Sequence, residues 1–283
     1  MTGRWSVNRI FSLEDPNGNS IVRTHCCAGI KAIKNMKAFK TLALIGAVAC
    51  LFASAAKAQM PGGGQSGLNT AMLKLFGEVG GFASKADIRL QEKGSSEVMT
   101  MTVDFAMRDG KVRMDLDMGA VKSKQLPPET LAAFKVAGLD KLATIVRPDR
   151  KSTLLIYPSV QSYAETPMAK DEVAALDRKY KIEKTRLGSE TIDGRSCEKN
   201  KVVVSADNGE RHEATVWYAA DLKSFPIKVQ MDQPQMTVVL QYRDVKLAPP
   251  DAGRFEPPAG FTKHATVEHL MQNAMLRTLN GKK

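Results

Sequence analysis

Residues 98–118 show a regular alternation of apolar and polar positions. On the first arm, apolar side chains occupy every second position from Met99 to Met107, and the same spacing recurs on the second arm from Val112 to Met118. A period of two is typical of a strand with one buried face. Asp109-Gly110 separates the arms, and this pair is favoured in type I′ turns, whose two central residues need positive φ. The stretch therefore predicts a β-hairpin.

The register of this hairpin follows from a two-residue turn. It pairs Met107 with Val112, Phe105 with Met114, Val103 with Leu116 and Met101 with Met118, so that apolar residues face apolar residues. The other face carries mainly charged and hydroxyl side chains. Met-rich apolar surfaces serve either as core packing or as adaptable ligand-binding surfaces. The predicted ligand-binding residues on this face are Met99, Met101, Val103, Phe105, Met107, Met114, Leu116 and Met118, with core packing as the alternative.

Further alternating segments fill most of the chain. Strands are predicted at 85–91, 142–146, 152–157 and 161–163, and a hairpin over 181–205 turns at Asp193-Gly194. Asn208-Gly209 predicts a second type I′ turn, followed by a strand over 210–220 and a last pair at 226–231 and 235–247. The total is about ten or eleven antiparallel strands joined by short connections.

Helical spacing of apolar residues appears in four places. It predicts helices at 68–79, 129–136, 168–179 and 264–279, with Thr166-Pro167 opening the third and Gly80-Gly81 ending the first. An antiparallel sheet with one apolar face needs cover on that face, and these helices can supply it. The predicted fold class is mainly β (α+β), a large curled antiparallel sheet covered by helices.

The N-terminal part of the chain has the features of a secretory signal peptide over 36–58. A basic start at Met36 precedes an apolar run over 42–56, and Ala56-Lys57-Ala58 forms a cleavage site before Gln59. Residues 1–35 then indicate either that Met36 is the true start or that the n-region is long. Residues 59–67 are predicted as a flexible linker and 68–283 as a single domain. The predicted location is the periplasm, with a lipid anchor through Cys50 as the alternative.

Charge and cysteine content exclude several classes of function. The formal net charge is +11, but residues 1–58 hold 8 basic and 2 acidic residues, which leaves +5 on the rest. The remaining charges alternate in sign along strands, which disfavours nucleic-acid binding. Only Cys197 lies outside residues 1–58, so no intrachain disulfide or cysteine metal cluster is expected in the secreted part.

Candidate catalytic and metal-binding residues are few. Cys197 and His212 could suggest a nucleophile and a base, but the predicted turn places His212 opposite Ser205, roughly 26 Å along the strand from Cys197. His264 and His269 are predicted on different faces of one helix. We predict no enzyme activity, no cofactor and no metal site.

Several short segments resemble a known superfamily. They are Asp109-Gly110-Lys111-Val112-Arg113-Met114-Asp115, the hairpin over 188–197 with its Gly-x-Glu-x-Ile-x-Gly pattern, and the segments 217–222, 225–228 and 255–261. Over about 87–261 the chain resembles the periplasmic lipoprotein-carrier superfamily (LolA, LolB and RseB-like stress sensors). Within it, the chain is similar to a secreted bacterial branch known only as a domain of unknown function. The resemblance implies a half-open β-barrel with an apolar concave side closed by helices.

Two functions are compatible with this interpretation. The first is a non-enzymatic periplasmic protein that binds a lipid, an acyl chain or a lipoprotein in the concave face, as the resemblance to outer-membrane lipoprotein sorting proteins implies. The alternative is an envelope interaction, stress-sensor or structural protein that binds a protein partner and has a packed interior without lipid. The 12 methionines of residues 59–283 suit either function, because methionine both fills cores and adapts to ligands of varied shape.

Overall fold

The computed structural model describes residues 70, 72–76, 79–96, 98–124 and 126–280, apart from the side chains of 278–280. The predicted signal peptide at 36–58, the linker at 59–67 and the segment 1–35 lie outside the described residues. The cleavage site before Gln59, the anchor at Cys50 and the domain boundaries therefore remain predictions.

The described residues form twelve strands and three α-helices. The helices are α1 (Pro128–Val136), α2 (Lys170–Leu176) and α3 (Val267–Asn280), and Thr70 and residues 72–74 are also helical. The strands are β1 (Gly81–Glu92), β2 (Val98–Arg108), β3 (Lys111–Asp117), β4 (Lys141–Arg147), β5 (Ser152–Tyr157), β6 (Ser162–Pro167), β7 (Tyr180–Ile192), β8 (Arg195–Ala206), β9 (Arg211–Ala219), β10 (Phe225–Asp232), β11 (Met236–Lys246) and β12 (Thr262–His264).

All twelve strands belong to one sheet, in the order β12-β6-β5-β4-β3-β2-β1-β11-β10-β9-β8-β7. Every neighbouring pair is antiparallel except β12 and β6, which are parallel. The eleven strands β1–β11 therefore agree with the expected ten or eleven antiparallel strands, and the short parallel β12 was not predicted. Pairing of β1 with β11 joins the first half of the chain to the second.

The sheet must curl, because a short link connects its two ends. A flat sheet would separate β6 from β7 by ten strand spacings, about 48 Å. The link has seven residues in α2 and five outside it, and reaches only about 28 Å. The sheet is thus an open, curled half-barrel in the described part of the chain, as the sequence predicts, with β7 and β12 at its edges.

The hairpin of β2 and β3 has the predicted register over most of its length. Met107 pairs with Val112, Phe105 with Met114, and Val103 with Leu116. Asp109 and Gly110 have φ of 50° and 77°, as a type I′ turn requires. The pairing of Met101 with Met118 was wrong, because Asp117 caps a 3₁₀ turn over Met118–Ala120 and ends the strand there.

The turn at Asn208-Gly209 differs from the prediction. Gly209 has φ of 88°, but Asn208 is not in the left-handed region, so the turn is not type I′. The Ala206 amide donates to the Glu210 carbonyl oxygen at 2.8 Å, which leaves a three-residue loop. His212 consequently lies opposite Val204, one position away from the predicted Ser205.

The helices correspond to the predicted ones with altered ends. α1 begins one residue before the predicted 129–136, whereas α2 is shorter than 168–179 because β6 continues to Pro167, which pairs with Ser152. The Ala169 amide caps α2 by donating to Glu172 Oε2 at 2.8 Å. The last helix begins at Val267 instead of residue 264, because residues 262–264 pair with β6.

The two faces of the sheet are covered differently. We call the concave face, which carries Phe105, Val112, Val146 and Tyr242, the inner face, and the opposite one the outer face. On the outer face of β4 and β5, a buried cluster forms around Phe255, which is 1% exposed. On the inner face of β4–β6, Leu270 and Ala274 of α3 are buried in another cluster.

Arg147 attaches the segment around Phe255 to the outer face. Its guanidinium donates to the Phe255 carbonyl oxygen at 2.9 Å, to Glu256 Oε1 at 2.6 Å and to Asp149 Oδ2 at 2.8 Å. The Arg147 side chain is 3% exposed, so these charge-assisted bonds satisfy a buried cation. The hydrogen bonds with Arg147 lower the pKa of Asp149 to about 2.

Candidate ligand-binding face

The eight residues predicted to bind ligand lie together on the inner face of β2 and β3 and at the 3₁₀ turn that follows. Seven of them are buried, at 3–7% exposure, and Leu116 is half-buried. The structure therefore confirms that they form one apolar surface, and it places that surface inside the core. Their role in binding is a proposal.

The apolar surface extends far beyond this hairpin. A row of directly paired residues crosses seven strands from β2 to β7: Met101, Ile88, Leu240, Val229, Val216, Asn200 and Arg186. The first five are apolar and at most 3% exposed. Because each is the cross-strand partner of the next, they form a continuous stripe on the inner face.

The N-terminal helical segment, Thr70 with residues 72–76, lies against the inner face. The ring of Phe76 has its centroid 4.8 Å from Phe82, 6.3 Å from Phe105, 5.6 Å from Phe225 and 5.7 Å from Tyr242. These four rings belong to β1, β2, β10 and β11. Such centroid separations are those of interacting aromatic pairs, so Phe76 anchors the segment at the centre of the curl.

A small cavity remains beside this segment. Its volume is about 50 Å³, and it is lined by Thr70, Met72, Leu73, Phe76, Phe105, Val112, Val146, Pro148, Met168, Glu172, Leu176 and Tyr242. Of the eight predicted binding residues, only Phe105 lines it. Pockets for small molecules usually have about 300–1,000 Å³. The cavity is thus too small for an acyl chain unless neighbouring side chains move.

The apolar stripe ends in polar residues at β8 and β7. Asn200 is 3% exposed and donates from Nδ2 to Glu198 Oε1 at 2.8 Å. Arg186 Nε lies 3.7 Å from Glu198 Oε2. Lys184 Nζ lies 4.3 Å from the centroid of the Tyr218 ring. One end of the inner face therefore carries a charged rim, in contrast to the apolar stripe beside it.

Tyr218 and His212 each hold a buried polar atom without a partner in the described part of the chain. The Tyr218 hydroxyl and His212 Nε2 make no hydrogen bond there. Burial raises the pKa of Tyr218 to about 12 and lowers the pKa of His212, so both side chains are neutral at pH 7.

Cys197 and His212 do not form a catalytic pair. Cys197 lies opposite Ala219, whereas His212 lies opposite Val204, seven positions further along β8. Cys197 is 1% exposed and its pKa is raised by burial, so the thiol is protonated at neutral pH. Cys197 is thus a small packed residue of the core.

The prediction for the two C-terminal histidines was wrong. His264 is in β12 and His269 in α3, and their ring centroids are 5.6 Å apart. Ser162 donates to the Val160 carbonyl oxygen, so its hydroxyl accepts from His264 Nε2 at 3.3 Å, while His264 Nδ1 accepts from Asn273 at 3.4 Å. Burial, with His269 and Arg277 nearby, lowers the pKa of His264. The described residues contain no group of three or more potential metal ligands.

Several residues of this face were missed from the sequence. Phe76, Tyr242 and Val229 belong to segments whose apolar positions were visible, but their contact with β2 depends on pairing between distant strands. The rim residues Lys184 and Arg186 appear in the sequence only as part of a mixed charge pattern. Their position at the end of the apolar stripe depends on a one-residue register shift in the β7–β8 pairing between Arg186 and Gly188, and on the β9–β10 pairing. Neither was predicted.

The fold defined by these elements is a half-barrel, a curled open sheet whose concave face is covered by helices. Residues 87–225 match the model of a family described as Domain of unknown function (DUF4412). This match confirms the predicted resemblance to a family known only as a domain of unknown function. Comparison with curated proteins gives no match.

The similar solved structures share little sequence with this chain. Lipoprotein LppX of Mycobacterium tuberculosis is 12% identical, with 66% of this chain and 96% of that chain covered and a TM-score of 0.36. A LolA superfamily protein of Nitrosomonas europaea is 13% identical, with 68% and 96% covered and a TM-score of 0.30. The MucA/MucB complex of Pseudomonas aeruginosa gives 12% identity, 67% and 61% coverage and a TM-score of 0.34. No functional residue is transferred from them.

A search for membrane spans in the described residues finds no helix with the length and apolar character needed to cross a bilayer.

Proposed function

We propose that this chain is a non-enzymatic protein of the bacterial envelope, exported to the periplasm, that binds a lipid, an acyl chain or a lipidated protein on its inner face. The observation that carries this proposal is the apolar stripe from Met101 to Val216, which crosses five strands without a polar side chain. The eight residues Met99, Met101, Val103, Phe105, Met107, Met114, Leu116 and Met118 would form one side of the binding surface.

The stripe offers enough apolar contact for useful affinity. Each methylene moved from water into an apolar site contributes about 0.8 kcal/mol, so ten buried methylenes contribute about 8 kcal/mol before the costs of association. Micromolar binding would follow without any polar anchor. The five buried methionines at 99, 101, 107, 114 and 118 would let the surface adapt to chains of different shape.

Binding requires the N-terminal helical segment to make room. Met72, Leu73 and Phe76 line the cavity of about 50 Å³, and Phe76 occupies the centre of the aromatic cluster. A ligand on the stripe would replace these side chains with its own methylenes. Phe76→Ala should therefore enlarge the site and raise affinity for an acyl probe, while it lowers the stability of the free protein by about 3–5 kcal/mol.

The test compares a carboxylate introduced on each face of β2. Met101→Glu should abolish binding of a fluorescent acyl probe, because the new charge would be buried without a partner. Thr100→Glu is the control, since Thr100 lies on the outer face opposite Arg89. If the wild type and Phe76→Ala both fail to bind acyl probes, and native mass spectrometry finds no co-purified lipid, the proposal is wrong.

The second candidate is an envelope interaction or sensor protein with a packed interior. The small cavity and the burial of seven of the eight predicted residues favour it. In that case the N-terminal helical segment is a permanent part of the core. Phe76→Ala would then lower stability without creating acyl binding, and a protein partner would be recovered by cross-linking in the periplasm.

A further inference from the structure

The apolar rows of the inner face end in basic side chains at the β7 edge. The row that contains Val229 and Val216 continues to Asn200 on β8 and to Arg186 on β7. In the neighbouring row, Val202 of β8 is paired with Lys184 of β7. Lys184 and Arg186 are therefore on the same face of β7 as the buried stripe, and both are exposed.

A buried hydroxyl without a partner lies next to this edge. Tyr218 is 6% exposed, and its hydroxyl makes no hydrogen bond in the described part of the chain. Lys184 Nζ lies 4.3 Å from the centroid of the Tyr218 ring, so the hydroxyl and the ammonium belong to the same neighbourhood. A buried donor without an acceptor raises the free energy of the folded protein, and a ligand that supplies an acceptor removes this penalty.

The charge of this edge favours an anion. Glu198 is the one carboxylate placed against the two basic residues on this face by the described contacts. It already accepts a hydrogen bond from Asn200 Nδ2 at 2.8 Å and lies 3.7 Å from Arg186 Nε. With Lys184 and Arg186 opposing one Glu198, the edge keeps a net positive charge, and its donors are an ammonium, a guanidinium and a phenol.

We infer that the β7–β8 edge of the inner face is a subsite for an anionic headgroup, and that the ligand is a single-chain amphiphile with a carboxylate or phosphate head. This inference rests on the proposed function, because the acyl chain of the same molecule would occupy the apolar stripe. From Met101 to Asn200 the stripe crosses five strand spacings, roughly 24 Å, which suits an extended long acyl chain.

The experiment measures displacement of 1-aminoanthracene, an uncharged probe, from the full exported protein. The competitors are hexadecanoate, hexadecyl phosphate and monopalmitin, which share a sixteen-carbon chain and differ in headgroup charge. The variants are Lys184→Gln, Arg186→Gln and Tyr218→Phe. Lys181→Gln is the matched control, because Lys181 lies on the opposite face of the same strand and pairs with Glu183.

The expected result is a headgroup-dependent loss. Lys184→Gln and Arg186→Gln should each lower the affinity of the two anionic competitors roughly tenfold and leave the affinity of monopalmitin unchanged. Tyr218→Phe should also weaken the anions, although removal of an unpaired buried hydroxyl should not lower the stability of the free protein. Lys181→Gln should behave as the wild type.

Other outcomes would overturn the inference. If anionic and neutral competitors bind the wild type equally and the variants change neither, the subsite is wrong while the proposed function stands. If no competitor displaces the probe, the proposed function fails and the subsite fails with it. If inorganic phosphate alone competes, with the same loss in Lys184→Gln, the edge is a free-anion site and the amphiphile is wrong.

Discussion

At the β4–β6 end of the sheet both faces are covered, whereas β7 at the other end is exposed on both. All six residues of β5 are buried, between α3 on the inner face and the segment around Phe255 on the outer face. In β7, every residue from Lys181 to Leu187 is exposed. The covered end therefore holds the half-barrel together, and the exposed end is available for contact with other molecules.

The charged side chains at the two ends differ in their burial and in their partners. Arg147 at the covered end is buried and satisfied by Asp149, Glu256 and a backbone carbonyl oxygen. At β7, Lys181 and Glu183 form an ion pair with side chains 76% and 55% exposed, which contributes little to stability. Charged side chains on an exposed edge strand also discourage pairing with other strands. Charge consequently discourages strand pairing at the open edge, whereas packing stabilises the covered end.

The largest expected effect comes from removing a large apolar side chain at each end. Phe255→Ala should lower the free energy of unfolding by about 3–5 kcal/mol, because it leaves a cavity against Ile145, Leu154 and Ile156. Leu187→Ala on β7 should cost less than about 0.5 kcal/mol, since Leu187 is 54% exposed. Urea denaturation of both variants measures the difference. Equal losses would contradict the proposed contrast between the ends.

A smaller effect is expected from removing a basic residue at each end. Arg147→Met should lower the free energy of unfolding by about 2 kcal/mol, because the Phe255 carbonyl oxygen loses its charged donor and the tail loses its attachment. Lys181→Met should leave the denaturation midpoint unchanged. Hydrogen exchange would show whether amides of the tail, around 252–256, lose protection in Arg147→Met. Unchanged exchange there would contradict the role assigned to Arg147.

The smallest effect concerns acid stability at the covered end. The pKa of Asp149 is lowered to about 2 by hydrogen bonds with Arg147, so its contribution is complete above about pH 4 and is lost as the pH falls through about 2. Because Asp149 is 46% exposed, this contribution is about 1 kcal/mol. Asp149→Asn should be less stable than the wild type at pH 5, and the two should converge near pH 2. A constant difference across this range would be contrary to the expectation.

Local features of the fold could be predicted from the sequence, because local residues determine them. Alternation together with Asp109-Gly110 predicted the register of β2 and β3. Asp193-Gly194 predicted that of β7 and β8 only from the turn to Gly188, beyond which the pairing shifts by one residue. The turn at Asn208-Gly209 was misread, since this pair occurs in two-residue and three-residue loops and only the hydrogen bond from Ala206 to Glu210 distinguishes them. The helix was extended back to His264 because apolar spacing does not reveal that residues 262–264 pair with β6.

The candidate site was only partly predictable for a related reason. The eight residues of the hairpin and turn share a face by periodicity alone. The stripe that continues them needs the pairing of β1 with β11, two strands separated by about half of the chain. The position of Phe76 among rings from four strands, and of Lys184 beside Tyr218, depends on how the sheet curls. Neither depends on a pattern that a linear sequence displays.

The central claim, that acyl chains bind the inner face, is tested most directly by NMR with a spin-labelled fatty acid. The protein would carry labelled methyl groups on isoleucine, leucine, valine and methionine. Addition of stearate with a nitroxide near the end of its chain should broaden the methyl signals of Met101, Leu240 and Val229 on the inner face. Ile145, Leu154 and Ile156 on the outer face should remain sharp. Broadening of the outer set instead, or of neither set at saturating fatty acid, would contradict the claim.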